Sequence, residues 1–269
     1  MRIYGVDFTS APRQRKPIAV AVAEARDEQL LVSEIEELVD FPAFERLLQR
    51  PGPWVGGFDF PFGLSREAVT DLGWPLEWSP LMSHFRSLDR VAFKRTLDEY
   101  RQTRPAGSRY ASRAGDTASG AHPSVKLVNP PVGFMFFEGA PRLAAAGVNV
   151  PGLRTTRETR VALEAYPGFF VRRQLGILAS YKSDRVLHHT PARRRVREEI
   201  LAALQKGLLL GVKVRLIGDV ERRVIEDGSG DSIDAVICAA QAHWGWVRRE
   251  SNYGLPPTLD PLEGWIVTA

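Results

Sequence analysis

Apolar residues along the first sixty positions follow strand-like spacing, except for one stretch where they recur with the period of a helix. Phe44, Leu47 and Leu48 share one face of that helix, and Pro51–Pro53 ends it. The pattern therefore predicts a three-stranded meander, a helix and a fourth strand. Their predicted bounds are Met1–Thr9, Pro17–Ala25, Gln29–Ile35, Phe41–Arg50 and Trp54–Phe60.

The middle of the chain has a less regular pattern. Helices are expected at Leu64–Leu72, Phe85–Arg101 and Ala140–Gly147, with an apolar stretch at Val132–Phe137. Between them, Thr103–Ser124 is rich in Gly, Ser, Ala, Arg and Pro, which predicts a long loop of the kind that is often functional or mobile. We interpret residues 75–158 as an insertion or lid.

Regular patterning returns toward the carboxyl end. It predicts a strand at Arg160–Tyr166 and helices at Arg193–Lys206 and Asp231–Val247. The last segment, Ser251–Ala269, is expected to be extended and to pack on the surface, with Trp265 and Ile266 as anchors.

These elements place the chain in the α/β class, as one domain over residues 1–269. A strand, a crossover helix and a second strand favour a right-handed connection, which puts the fourth strand parallel to the first and beside it. The expected fold is a mixed sheet, with a meander and parallel strands, flanked by helices.

Bulk composition limits the class of protein. With 44% hydrophobic and 25% charged residues, the chain resembles an ordinary soluble globular protein. The start of the chain lacks a signal-peptide pattern, and no apolar run is long enough to span a membrane. A single cysteine, Cys238, excludes an internal disulfide and fits a reducing compartment, so we expect a cytoplasmic protein.

The most informative motif occurs twice, as Gly5-Val6-Asp7-Phe8 and Gly57-Phe58-Asp59-Phe60, each time at the end of a predicted strand. In neighbouring parallel strands, about 4.8 Å apart, both carboxylates reach the same sheet edge. Two anions about 4 Å apart repel by roughly 4 kcal/mol at an effective dielectric constant near 20. Sharing a proton or a metal ion relieves that repulsion. The alternative is that each Asp forms a turn or caps a helix.

Other acids occur in related positions. Asp231 and Asp234 are neighbours in the first turn of a predicted helix, where the helix dipole favours negative charge, so capping explains Asp231 equally well. Glu164 ends a predicted strand, and its alternative is an ion pair with an arginine. Carboxylates converging from separate elements suit Mg²⁺ or Mn²⁺. Asp7, Asp59, Asp231 and Asp234 are the candidate ligands.

Two basic stretches, Arg101–Arg113 and Arg172–Arg197, stand out from the modest net charge of +4. From them we select candidates for contacts with nucleic-acid phosphates, namely Arg104, Arg109, Lys182 and Arg185. The alternative for each stretch is a solvated surface.

The ordered motifs resemble a known family. The two Gly-x-Asp-Phe segments, Glu164–Pro167 and Asp231–Ala235 are similar to motifs of a domain-of-unknown-function family of bacterial and archaeal proteins described as predicted RNase H-like nucleases. Glu263–Ile266 resembles that family's closing motif. The resemblance covers most of the chain except residues 75–130.

The resemblance implies a two-metal nuclease with Asp7 as central ligand, Asp59 beside it and Asp234 from the last helix. Glu164 would complete the catalytic set, although in the wider superfamily that acid often comes from the first helix, where this chain has only Glu45. The expected activity is hydrolysis of nucleic-acid phosphodiester bonds, DNA or RNA. Two alternatives remain, a non-catalytic nucleic-acid-binding protein on the same fold and an actin-like nucleotide binder. The second is disfavoured because Asp7–Ser10 lacks the glycine of a phosphate loop.

Overall fold

A six-stranded mixed sheet forms the centre of the protein. The computed structural model describes residues 1–207 and 210–269. The strands are β1 (Arg2–Asp7), β2 (Ile18–Arg26), β3 (Gln29–Leu38), β4 (Trp54–Phe58), β5 (Arg160–Glu164) and β6 (Lys213–Leu216).

The spatial order of the strands is β5-β4-β1-β2-β3-β6. Strands β1, β2 and β3 pair antiparallel, whereas β4 pairs parallel with β1, β5 with β4, and β6 with β3. The α/β class, the antiparallel meander and the parallel placement of β4 beside β1 are thus confirmed. Strand β6 was not predicted.

Ten α-helices surround the sheet in the described part of the chain, besides a π-helix at Phe170–Gln174 and 3-10 helices at Val186–His188 and Arg249–Gly254. They are α1 (Phe41–Leu48), α2 (Arg66–Asp71), α3 (Trp78–Ser87), α4 (Arg90–Thr103), α5 (Ala114–Ser119), α6 (Val132–Ala146), α7 (Pro167–Phe169), α8 (Pro191–Lys206), α9 (Val220–Glu226) and α10 (Asp231–Val247).

Several helix ends have a clear local cause. The side chain of Asp40 accepts a hydrogen bond from the Ala43 N–H at the start of α1, and the side chain of Thr190 accepts one from the Arg193 N–H at the start of α8. Helix α8 ends at Gly207, whose φ of +64° suits glycine.

The helices form two layers with separate cores. Buried side chains of α1–α4 and α6 pack against one face of the sheet, together with Tyr4, Val6 and Phe58. Those of α8–α10 pack against the other face, together with Ile3 and Val55. Because both faces are covered, all five residues of β4 are buried and its sequence does not alternate between polar and apolar residues.

The central helix of the second layer, α10, lies directly on β1 and β4. A Cβ atom at Gly5 would lie 2.0 Å from the carbonyl oxygen of Ala235, and one at Gly57 would lie 2.3 Å from that of Cys238. The helix presents small residues at this contact, including Ala239 and Ala242. The glycine of each Gly-x-Asp-Phe motif is therefore required by the close approach of α10.

Some predicted elements differ from the observed ones. The single helix expected over Phe85–Arg101 is two helices, α3 and α4, which Asp89 separates by capping the second. The expected loop Thr103–Ser124 contains α5, and the apolar stretch and short helix after it form one helix, α6, which accommodates Pro141.

The segment interpreted as an insertion or lid is well packed. Residues 75–158 contain α3–α6, and their buried side chains supply much of the core on the first face of the sheet. Action of this segment as a lid stays a prediction.

The tail is more deeply packed than expected. Ile266 and Val267 are buried, Trp265 is half-buried, and Ile266 forms a parallel bridge with Glu164 at the end of β5. Among the described residues, no helix is both long enough and apolar enough to cross a membrane.

The glycine contact gives a first prediction. Gly5→Ala should lower the free energy of unfolding by about 3 kcal/mol or more, because the new methyl group meets backbone atoms of α10 that cannot move independently. Urea unfolding measures this. The control is Gly115→Ala, where the nearest atoms lie 3.6 Å from the new Cβ within a helix, and stability should stay equal or rise slightly. Equal effects of the two substitutions would contradict this account of α10.

Candidate functional site

Asp7 and Asp59 lie side by side at the carboxyl edge of the sheet. Val6 pairs with Phe58 in the parallel ladder, and the Asp59 N–H donates to the Val6 carbonyl oxygen at 2.9 Å. Side chains alternate along a strand, so Asp7 lies on the same face as Gly5, and Asp59 on the same face as Gly57. Both carboxylates thus emerge on the side of the sheet that α10 covers.

Helix α10 adds two more acids from its first turn. Asp234 is fully buried there, and its Oδ1 accepts a hydrogen bond from the Tyr181 hydroxyl at 2.6 Å. Its Oδ2 accepts a hydrogen bond from the ammonium group of Lys182, whose side chain is 44% exposed. Both oxygens of Asp234 are therefore occupied by groups of the chain itself.

Asp231 is held in a similar way. The Lys16 ammonium group donates to both Asp231 oxygens at 2.8 and 3.0 Å, and to Asp184 Oδ1 at 2.7 Å. Burial is the largest single influence and alone would lower the pKa of Lys16, but the charges and hydrogen bonds of Asp231, Asp184 and Asp7 together outweigh it and raise the pKa. Lys16 therefore stays protonated and joins the β1–β2 connection to α10.

These groups surround one cavity of about 940 Å³. Asp7, Asp59 and Asp231 line it together with Lys16 and Lys182, while Asp234 lies beneath the surface. The structure thus brings the predicted acids of β1, β4 and α10 together at one place.

The acids of this cavity repel one another. Burial raises the pKa of Asp7 well above its ordinary value, and the charges of Asp231 and Asp234 raise it further. The pKa of Asp59 rises from 3.8 to about 7, mainly through burial, with Lys182 acting in the opposite direction. In the described residues the side chains of Asp7 and Asp59 form no hydrogen bond or ion pair, so these two carboxylates are open to a ligand.

Glu164 has a different role. The adjacent Leu163 packs in the core of the α8–α10 face and Ala162 in that of the opposite face, so alternation turns Glu164 away from α10. Buried Arg113 donates to both Glu164 oxygens at 2.8 and 2.6 Å, and the Phe62 N–H donates to Oε2 at 2.9 Å. Glu164 therefore forms an ion pair with an arginine, which was the alternative given in the sequence analysis. It also borders the cavity.

Arg113 anchors several parts of the chain through this pair. Its guanidinium group also donates to Asp116 Oδ1 at 2.7 Å and to the carbonyl oxygen of Glu263 at 2.9 Å. Removing one partner of such a buried ion pair typically costs about 3–5 kcal/mol. Arg113 was seen in the sequence only as part of a basic stretch.

The candidate phosphate-binding residues are dispersed. Lys182 lines the cavity, but Arg104, Arg109 and Arg185 do not. The Arg104 guanidinium group donates to Glu67 at 2.8 Å and to the Tyr100 hydroxyl at 2.6 Å, which ties α4 to α2. Lys16 and Tyr181 were not among the candidate site residues of the sequence analysis. The only sign of their role in the sequence is that Lys16 lies close to Asp7 and Tyr181 is adjacent to Lys182.

The open carboxylates of the cavity fit a divalent cation that is bound by few protein ligands. Across residues 1–207 and 210–269, no three His, Cys, Asp or Glu side chains are grouped closely enough to hold a metal ion. Mg²⁺, however, is usually bound by one or two carboxylates, with water and substrate phosphate completing its shell. Asp7 and Asp59 can supply two such carboxylates, whereas Asp231 and Asp234 are engaged by lysines.

Comparison with known families supports the resemblance to a domain-of-unknown-function family. Residues 5–257 match a family described as protein of unknown function, DUF429. The chain belongs to the DUF429 family. The range matched by DUF429 includes Asp7, Asp59, Glu164 and both acids of α10. Searches of curated proteins and of solved structures found no match.

The raised pKa of Asp59 in this DUF429 protein predicts a pH dependence. Between pH 4 and 7 the folded state binds more protons than the unfolded state, so the free energy of unfolding should fall as pH rises. Asp59→Asn removes this titration. At pH 4 this substitution should leave the free energy of unfolding nearly unchanged. At pH 8 it should raise the free energy of unfolding by on the order of 2 kcal/mol.

Denaturant unfolding of both proteins in EDTA from pH 4 to 8 measures this difference. The matched control is Asp219→Asn, which replaces an aspartate that is 86% exposed and should leave the wild-type profile unchanged. Parallel profiles for wild type and Asp59→Asn would contradict the raised pKa.

Proposed function

We propose that this protein is a metal-dependent nuclease with an RNase H-like core, which hydrolyses phosphodiester bonds of nucleic acid. The observation that carries the proposal is the pair Asp7 and Asp59, two open carboxylates on adjacent strands inside a cavity with basic residues. A central strand with an antiparallel meander on one side and parallel strands on the other supports the RNase H-like interpretation.

The chain's residues divide into those that would hold the cation and those that would hold the substrate. Asp7 and Asp59 would bind Mg²⁺ or Mn²⁺, which when bound activates water and offsets charge on the phosphate. Lys182 and Arg172 line the same cavity and would bind the phosphate oxygens.

Asp234 and Asp231 act on this arrangement through the lysines. Asp234 holds the Lys182 ammonium group and the Tyr181 hydroxyl in place, and Asp231 holds Lys16. The structure favours this positioning role for both acids over the direct ligation expected from the sequence. A second ion would have to displace a lysine from one of them.

We also propose that the protein is located in the cytoplasm. The single cysteine, Cys238, is buried in α10, and burial raises its pKa well above the ordinary value. An inert thiol of this kind fits the reducing cytoplasm, where nucleic acid is accessible.

Cleavage of labelled nucleic acids tests the proposal. Wild-type protein with Mg²⁺ or Mn²⁺ should cleave at least one substrate among single-stranded, duplex, hybrid and branched forms. Asp7→Asn should lower the rate by about 100-fold or more, because electrostatic stabilisation of the transition state is lost.

The matched control is again Asp219→Asn, an exposed aspartate outside this cavity, which should cleave at the wild-type rate. The proposal fails if Asp7→Asn cleaves as fast as wild type, or if wild type cleaves none of the four substrates.

A further inference from the structure

The cavity that holds the acids also has an apolar wall. Val132 and Met135 come from the first turns of α6, and Ile177 and Leu178 from the segment after α7. The phosphate-binding and metal-binding roles proposed above use none of these four side chains. An apolar surface beside charged groups indicates a ligand with both kinds of surface.

Part of this wall is uncovered. Leu178 is 84% exposed, whereas Val132 and Met135 are half-buried. The half-buried ring of Tyr166 lines the same cavity, and the Arg172 guanidinium carbon lies 5.6 Å from its centroid. An aromatic ring, apolar side chains and cations together are the usual components of a surface for single-stranded nucleic acid.

The depth of the acids limits what can reach them. Asp7 is only 9% exposed, and Asp234 lies beneath Lys182. The cavity volume of about 940 Å³ is at the upper end of the usual range for small-ligand sites, about 300–1,000 Å³. A few unpaired nucleotides fit into such a space, whereas in a duplex the bases stay paired and stacked away from the wall.

We propose that the substrate of this site is single-stranded nucleic acid, with an unpaired base against the wall of Met135, Tyr166 and Leu178. The adjacent phosphate then faces Lys182 and Arg172, next to Asp7 and Asp59. This inference rests on the proposed nuclease function and adds the class of substrate to it. The apolar contact selects against a duplex because paired bases cannot reach it.

Binding measurements on matched leucine variants test the inference. Fluorescence anisotropy in MgCl₂ measures the affinity for labelled 12-nucleotide single strands of DNA and RNA and for the matching blunt duplexes. All variants are made in the Asp7→Asn background. This substitution limits cleavage during the measurement and removes a carboxylate that would repel the phosphate. Leu178→Ser is compared with Leu187→Ser, which changes a leucine in the same region that is 95% exposed and does not line the cavity.

Single strands should bind at least tenfold more tightly than duplexes. Leu178→Ser should weaken single-strand binding by about fivefold or more through the lost apolar contact, and Leu187→Ser should leave it unchanged. Equal or tighter binding of the duplex overturns the inference, as do equal effects of the two leucine substitutions or an absence of binding to any strand.

Wild-type cleavage under the same conditions separates this inference from the nuclease proposal. If wild type cleaves duplexes at least as fast as single strands, the substrate class is wrong and the nuclease function stands. If wild type cleaves nothing but single strands bind in a way that depends on Leu178, the nuclease function is wrong and the ligand class stands.

Discussion

The close contact between α10 and the two central parallel strands is the constraint on which the rest of the structure depends. At Gly5 and Gly57 there is no room for a side chain beneath the helix, and the helix has small residues such as Ala239 at the contact. This contact fixes the height of α10 above the sheet. It therefore also fixes the position of Asp234, which lies in the first turn of the same helix.

That geometry has an electrostatic consequence. Alternation along β1 and β4 turns Asp7 and Asp59 toward the helix that rests on their neighbouring glycines, so the motif combines close packing with converging charge. Lys16 and Lys182 neutralise the two acids of α10, which leaves the two strand acids as the open ones. Burial raises the pKa of both, and repulsion from neighbouring acids, Asp234 among them in each case, raises it further; a divalent cation would offset that negative charge.

The sequence predicted the sheet centre, α10 and the convergence of its acids with those of β1 and β4, because strand ends and helix periodicity are local signals. Alternation along β5 could also have shown that Glu164 faces the opposite layer. The ion pairs of Lys16 and Arg113 join residues far apart in the chain, at sequence separations of 215 to Asp231 and 51 to Glu164, and no local pattern predicts such contacts. Strand β6 was missed because it has only four residues at the sheet edge, too few to show a period.

Calorimetric titration with Mn²⁺ tests most directly whether folding has gathered these acids into a site that requires a cation. The account predicts that wild-type protein at pH 8 binds Mn²⁺ and that the double variant Asp7→Asn/Asp59→Asn does not. The double variant should remain folded, since it replaces two buried carboxylates, each in an acidic environment, with neutral amides of similar size. Wild-type protein that binds no Mn²⁺, or a folded double variant that binds it equally well, would contradict the account.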